Sequence, residues 1–421
     1  MPADLAVVGL GPLGLPLARA AVAAGIATVG HDEQARVREL ALGRPPRGSE
    51  AALSASELRR MLAGGFRASA DPAELGRVRT AVICAPTNPA ADRSPDLSGV
   101  VTAARTLAAR LRPHTTVILE SPVHPGATED LLRPILEQGS GLRAGRDFHL
   151  AYSPARLDPG NRAYPYHATP KVIGGLTPAC TESAAAFYGR LTDKVVRARG
   201  PREAETVHLL ETSYRHVNIA LVNEMAVLCH DLGVDLWDVI RCAETKPYGF
   251  QAFRPGPGVG GHGLPPTPST SPTRTAPRAT PCASSASPAR STSGCPPTSS
   301  SAPRRSSTST ANRYAAPASC SSASPTNPTS PTRRAPRPRR SPPASPAWAP
   351  PSATTTPTSP TWRVLGHPVP RADTLYEATA AADLTLLLQH HRTYDLQGLA
   401  VKAQLLLDTR GATPAGVAYR L

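Results

Sequence analysis

From Pro265 to Thr361 the chain contains no leucine, isoleucine, valine, methionine or phenylalanine, only proline, serine, threonine, alanine, arginine and a few others. Ordering one residue costs about 1–2 kcal/mol of backbone entropy, and a stretch without large apolar side chains has nothing to bury against that cost. It reads as disordered, and it splits a chain of 421 residues into a long patterned part before it and a shorter one, 362–421, after it. Eleven arginines and no Asp, Glu or Lys fall inside it, so most of the net charge of +15 resides there. A charge of that size spread over a folded surface would point to a polyanion; confined to one abnormal segment it points to no specific nucleic-acid partner. The seven cysteines form no CxxC pair and keep no ligand spacing with histidine, so neither a metal site nor a disulfide framework is expected. No apolar run approaches the ~18 residues of a membrane span, and the start MPADLAVVGL has no basic segment ahead of its short apolar stretch, so a cytoplasmic protein without membrane attachment is expected.

Residues 1–262 alternate short apolar runs (LAVVGL, TAVICAP, TTVILES) with helical patterns (LPLARAAVAAG, LSGVVTAARTLAARL), as in a parallel sheet covered on both faces. The first run leads into Gly9-Leu10-Gly11-Pro12-Leu13-Gly14. A strand, three glycines at this spacing and a helix suit a dinucleotide: Gly9 turns tightly, Gly11 lets backbone approach a pyrophosphate, and Gly14 lets helix pack on strand. Asp32 follows Gly14 after a second strand, IATVGH, where a carboxylate accepts from the hydroxyls of an adenosine ribose. A long helical pattern from about 203 to 243 then precedes the loop PYGFQAFRPGPGVGGHG, and 362–421 regains ordinary patterning in DLTLLLQ, LQGLAVKAQ and LLLDTRG.

The run from Gly9 to Leu17, with CAPTN at 84–88, ESPVHPGATE at 120–129, AYSPARLDPG at 151–160, TPKVIGG at 169–175, YRHVNIALVNE at 214–224 and PGPGVGGHG at 255–263, resembles the UDP-glucose/GDP-mannose dehydrogenase family. The resemblance is greatest to its UDP-N-acetylglucosamine and UDP-N-acetylmannosamine dehydrogenases; it is continuous over 1–264 and looser over 362–421. It implies an α/β chain in polysaccharide biosynthesis: an NAD-binding Rossmann-like domain at 1–200, a central helical dimerisation domain at 201–264, and a second α/β domain, UDP-binding, largely scrambled over 265–361 and persisting at 362–421. It also implies NAD as cofactor, a UDP-N-acetylhexosamine as substrate, a homodimer, and oxidation of the sugar C6 alcohol to a carboxylate in two hydride transfers. Gly9, Gly11, Gly14, Asp32 and Thr87 would hold the cofactor, and Phe250, Gly258 and Gly260 the substrate.

In that family a cysteine attacks the aldehyde, and a thioester forms and is hydrolysed with help from a cation, an amide and carboxylates. Here the cysteine position is Gly263, the lysine position His208, and the asparagine position, four residues on along the same helix face, Thr212. The glutamate of the family's SPE is Ala155, and the threonine of its EST is Pro122. A histidine, with an ordinary pKa of ~6.5, carries no permanent charge at neutral pH, although as a neutral imidazole it has the chemistry of a base. Asp158, in the LDPG turn, reads as a turn former rather than a proton carrier. The expectation is a family member that is inactive as written; the alternatives are a non-catalytic NAD-binding dimer and a damaged gene product.

A one-base offset after Pro265 accounts for the abnormal composition. Residues 266–271 then span codons ending AC, CC, TC, AC and TC, which spell Asp-Pro-Val-Tyr-Leu. Under the same offset, 322–332 spell Gly-Leu-Ala-Tyr-Lys-Pro-Asp-Val-Ala-Asp, the family's third-domain signature, and 355–361 spell Asp-Pro-His-Val-Pro-Asp, after which Trp362 resumes readable sequence. Two compensating indels are one reading and a genuine Pro/Ser-rich linker is the other. Gly263 precedes the slip, so frame repair leaves it without a thiol.

Overall fold

In the first of these segments, four consecutive apolar residues form β1 (Leu5–Val8), and every one of them is buried. Such a strand belongs at the centre of a sheet covered on both faces. The computed structural model describes residues 3–45, 53–87, 95–157, 161, 163–258, 319–322, 352–354, 362–364, 367–369, 371–389, 391, 393–414 and 416–420. They fall into two compact units that meet in sequence between Thr212 and Ser213.

The first unit continues through α1 (Gly14–Ala23), β2 (Thr28–His31), α2 (Gln34–Ala41), α3 (Ala55–Ala63), β3 (Arg67–Ser69), β4 (Thr80–Ile83), α4 (Ser98–Ala108) and β5 (Thr116–Leu119). A π-helical turn, Thr128–Leu132, leads into α5 (Arg133–Ser140), followed by β6 (His149–Tyr152), β7 (Lys171–Gly175), α6 (Pro178–Tyr188) and β8 (Val195–Arg197). The strands join in the order β3-β2-β1-β4-β5-β6-β7-β8. Pairing is parallel except between β6 and β7. Alternation along the strands fills both faces: Leu5, Val7, Val82 and Ile118 pack with Leu15 and Leu17 of α1 on one side. Ala6, Val8, Ile83 and Val117 pack with Val100 and Leu107 of α4 on the other. The order reverses between β1 and β4, and a crevice at the carboxyl ends of strands is the ligand position of such sheets.

The helix α7 (Pro201–Leu232) runs through the unit boundary. The division between the units falls inside the segment expected as a helical domain, 201–264: the first turns of α7 belong to the first unit, tied there by Glu205 and Glu211 as described below. Its later turns belong with α8 (Leu236–Ala243) and the second sheet.

The second unit contains β9 (Ser319–Ser322), β10 (Ser352–Thr354), a two-stranded antiparallel ribbon of β11 (Trp362–Val364) and β12 (His367–Val369), α9 (Leu375–Ala381), β13 (Leu384–Leu387), α10 (Leu396–Lys402), β14 (Leu406–Asp408) and β15 (Tyr419–Arg420). A parallel sheet runs β10-β9-β13-β14-β15. The composition of 265–361 gave no reason to expect β9 and β10, and the structure corrects that expectation for these two stretches. The physical reason is that ladder hydrogen bonds use backbone groups common to all non-proline residues, and β13 and β14, with their apolar sequence, provide a template. The remainder of 265–361 lies outside the described residues, as do Asp158, Gly260 and Gly263. Among the described residues no helix is long and apolar enough to cross a membrane.

Candidate functional site

The turn after β1 is fixed by lack of space. Gly9 has φ 98°, and a Cβ there would lie 2.8 Å from the Cys84 carbonyl oxygen; a Cβ on Gly14 would lie 1.9 Å from the Gly9 carbonyl oxygen. Only glycine meets both constraints. At Gly11 a Cβ would meet nothing within 4 Å, so the backbone borders open space on the side where a ligand approaches. No side chain caps the start of α1, which leaves N–H groups of its first turn facing that space. A pyrophosphate fits this cradle.

Asp32 stands just past the end of β2. Its Oδ2 accepts from the Leu10 N–H at 2.6 Å and its Oδ1 from the Glu33 N–H at 2.7 Å, so the carboxylate is pinned beside the glycine turn. Thr87 lies buried in the segment after β4. Next to it, the Ser121 hydroxyl donates to the Ala85 carbonyl at 2.8 Å, which joins the segments carrying Thr87 and Pro122. Gly9, Gly11, Gly14, Asp32, Thr87 and Pro122 thus border the carboxyl ends of β1, β2, β4 and β5.

Two carboxylates of α7 bring the remaining described positions of the first unit together. Glu205 accepts from the backbone N–H of Gly126 and from the N–H and hydroxyl of Thr128, at 2.8 and 2.6 Å for the last two, which seats the loop after Pro122 on the helix. Burial pushes the Glu205 carboxyl up in pKa although these donors favour its ionised form. Two turns on, Glu211 pairs with Arg156, whose guanidinium also donates to the Pro170 carbonyl at 3.0 Å. The loop holding Ala155 therefore meets α7 where His208 and Thr212 stand. The Thr212 hydroxyl donates to the His208 carbonyl at 2.8 Å. The segments that carry Pro122 and Ala155 are thus tied to α7 through Glu205 and Glu211, on either side of His208, and the side chains at 208 and 212 are an imidazole and a hydroxyl.

Below this surface is a cluster that sequence reasoning missed. Lys171 is ion-paired with Glu120, both essentially without solvent exposure, and the Tyr188 hydroxyl donates to Glu120 Oε1 at 2.6 Å. The ammonium sits 4.8 Å from the Tyr188 ring centre and 5.6 Å from that of Tyr166. The Cys84 thiol is also buried here, and burial reinforced by Glu120 pushes its pKa well above the ordinary thiol value. It is a protonated thiol and an inert one.

In the second unit, Phe250 is exposed, and Gly258 adopts φ 129°, a conformation that suits glycine. The Gly256 N–H donates to Asn223 Oδ1 at 2.9 Å, which ties this loop to α7. A Cβ on Gly256 would come within 2.4 Å of the Arg410 guanidinium, and one on Gly411 within 2.4 Å of the Trp237 ring. Arg410 is half-buried, and the desolvation of its guanidinium draws its pKa below the usual value. Asn223 and Arg410 were not anticipated; the signals available were the last Asn of NIALVNE and the Arg of DTRG. A cavity of about 350 Å³ lined by Cys229, His230, Asp235 and Trp237 contains none of the expected site residues. Among the described residues no group of three or more His, Cys, Asp or Glu is placed to hold a metal ion.

Comparison with known proteins matches residues 3–192 to the NAD binding domain of the UDP-glucose/GDP-mannose dehydrogenase family and 202–273 to the central domain of the same family. The UDP-N-acetyl-D-glucosamine 6-dehydrogenase of Pseudomonas aeruginosa is 36% identical over 260 residues, covering 61% of this chain and 60% of that protein. The UDP-N-acetyl-D-mannosamine dehydrogenase of Escherichia coli K12 is 35% identical over 270 residues, 62% of each. The match therefore spans about three fifths of the length of these relatives. Among solved structures, the UDP-D-ManNAc dehydrogenase of Pyrococcus horikoshii superposes with a TM-score of 0.80 at 25% identity over 99% of this chain and 98% of that one. A UDP-glucose dehydrogenase of Pyrobaculum islandicum, at 21% identity and a TM-score of 0.81 over 100% and 98%, shares the fold.

Proposed function

The chain belongs to the UDP-glucose/GDP-mannose dehydrogenase family, and on that premise we propose that it is by descent an NAD-dependent UDP-N-acetylhexosamine 6-dehydrogenase that no longer completes the oxidation as written. NAD⁺, when bound, supplies the hydride acceptor. The glycine turn and Asp32 are the residues that hold it, and they are intact. The observation that carries the reading is that the segments holding positions 122 and 155 are tied to α7 beside 208 and 212, and at those four positions a proline, an alanine, a histidine and a threonine supply neither a permanent cation nor a carboxylate. Gly263 supplies no nucleophile. Cys84 is no substitute, since it is buried and protonated. The test is incubation of the full chain with NAD⁺ and UDP-N-acetylglucosamine or UDP-N-acetylmannosamine, following NADH absorbance and uronic acid by mass spectrometry. No product is expected; one equivalent of uronic acid per chain would refute the proposal.

The second domain reads as scrambled by the frame offset, and the position of β9 supports this. A parallel strand with neighbours on both sides is ordinarily apolar, whereas β9 reads Ser-Cys-Ser-Ser between β10 and β13. With serine written TCN, the one-base offset turns residues 318–321 into codons NTC, NTG, YTC and NTC, all encoding Val, Ile, Leu, Phe or Met, directly ahead of Gly-Leu-Ala-Tyr-Lys. The second reading, a non-catalytic dimer that retains NAD, is favoured by one observation: Leu210, Tyr214, Val217, Leu221, Leu228 and Leu232 form an exposed apolar stripe along α7 at heptad-like spacing. A homodimer would cover it.

A further inference from the structure

The buried Lys171–Glu120 pair stands at the edge of the cofactor crevice because one strand runs backwards. β7 is antiparallel to β6, with Gly174 opposite Tyr152, so Lys171, which opens β7, lies past the carboxyl end of β6. In a strand parallel to β6 the same lysine would stand at the opposite edge of the sheet, away from the crevice. Three donors converge there on one carboxylate: the Lys171 ammonium, the Tyr188 hydroxyl at 2.6 Å and the Cys84 thiol at 3.8 Å. Glu120 in turn closes on the segment after β4, since its own N–H donates to the Ile83 carbonyl at 2.9 Å and the next hydroxyl, that of Ser121, to the Ala85 carbonyl at 2.8 Å. That segment ends in the buried Thr87, and its Cys84 carbonyl oxygen would sit 2.8 Å from a Cβ on Gly9. The ion pair and the glycine turn are thus joined through one short stretch of backbone.

Desolvation cancels most of the attraction within a buried pair, and apolar side chains of similar volume stabilise a core as well or better. What charged donors add is direction: a carboxylate held by several hydrogen bonds is fixed in position and orientation, and so is the backbone that carries it. We propose that Lys171, Glu120 and Tyr188 are positioning residues for NAD: they clamp the carboxyl ends of β4 and β5 to β7 and hold the segment Cys84–Thr87 at the spacing from Gly9 that the cofactor needs. All three side chains are buried, so they act through the backbone above them and not by contact. The inference rests on the glycine turn and its surroundings holding NAD.

The experiment is calorimetric titration of the full chain with NAD⁺, beside urea unfolding of the same variants. Lys171→Met with Glu120→Gln removes both charges together. It should regain most of the stability lost in Lys171→Met alone, yet bind NAD⁺ about tenfold more weakly than the unmodified chain. Tyr188→Phe removes one donor and keeps the ring; it should weaken NAD⁺ about threefold, and it gives the answer if the charge variants do not fold. NAD⁺ affinity that returns together with stability in the double variant, or that is unchanged in Tyr188→Phe, makes the cluster structural only and overturns the positioning role while NAD⁺ binding by the unmodified chain still stands. Failure of the unmodified chain to bind NAD⁺ at millimolar concentration overturns the cofactor reading and the positioning role with it.

Discussion

Lys171 and Glu120 lie 51 residues apart in sequence and the Tyr188 hydroxyl donates to the same carboxylate across 68, yet the three share one buried site. Separations of that size are why the cluster was invisible in the sequence, where TPKVIGG and ESPVHPGATE entered only as separate motifs of the family resemblance. The glycine turn and Asp32 were legible because local geometry sets their spacing. Lys171→Met leaves Glu120 charged, buried and without its cation; a loss of roughly 3–5 kcal/mol is expected in urea unfolding. The double variant with Glu120→Gln should recover much of it, and full additivity of the two losses would deny the coupling. His216, buried on α7, has its pKa lowered to about 4 by burial, with Arg215 adding to the effect. Because the folded value lies below the unfolded ~6.5, the unfolded chain binds the extra proton between them. Stability contributed by the neutral imidazole is therefore complete above about 6.5 and lost as pH falls toward 4. His216→Gln should flatten the dependence of the urea midpoint on pH in that window by one proton, and an unchanged slope would count against it.

Among elements, β1, β4 and β5 could be read directly, since central parallel strands are unbroken apolar runs. The edge strands could not: β3 and β8 are short, with no buried residue, and carry arginine. The π-helical turn at Thr128–Leu132 has no periodicity of its own and depends on Glu205, far along the chain. Helix α7 was legible as a long helix, but its mean pattern hid the division of labour between carboxylates facing the loops of the first unit and leucines facing solvent. If a second copy covers those leucines, Leu221→Glu with Leu228→Glu should convert a dimer to a monomer in sedimentation equilibrium, with NAD⁺ affinity unchanged. A monomeric unmodified chain would remove the dimer reading.

For the molecule as a whole, the proposed reading makes Gly263 and the offset over 266–361 separate faults, so repairing one should not restore turnover. Gly263→Cys alone is expected to give no uronic acid; a frame-restored chain carrying Gly263→Cys, with His208→Lys and Ala155→Glu, is expected to give it. The offset itself has a sharper check in the nucleotide sequence. A Pro/Ser-rich linker leaves third codon positions free, whereas the offset reading requires G, C, G, T, A and C at the third positions of residues 322–327. Any departure there would reject that spelling of the third-domain signature. The glycine turn bears on history as well. A single methyl at Gly14 would place a carbon inside the van der Waals shell of a carbonyl oxygen, and no rearrangement of a side chain could relieve it, because the obstructing atom is backbone. Positions of that kind are the first casualties of unselected drift, since two of the three bases of their codon tolerate no change. On the proposed reading of the altered positions on α7, the intact turn means that the demand to fold the first unit outlasted the demand for the chemistry.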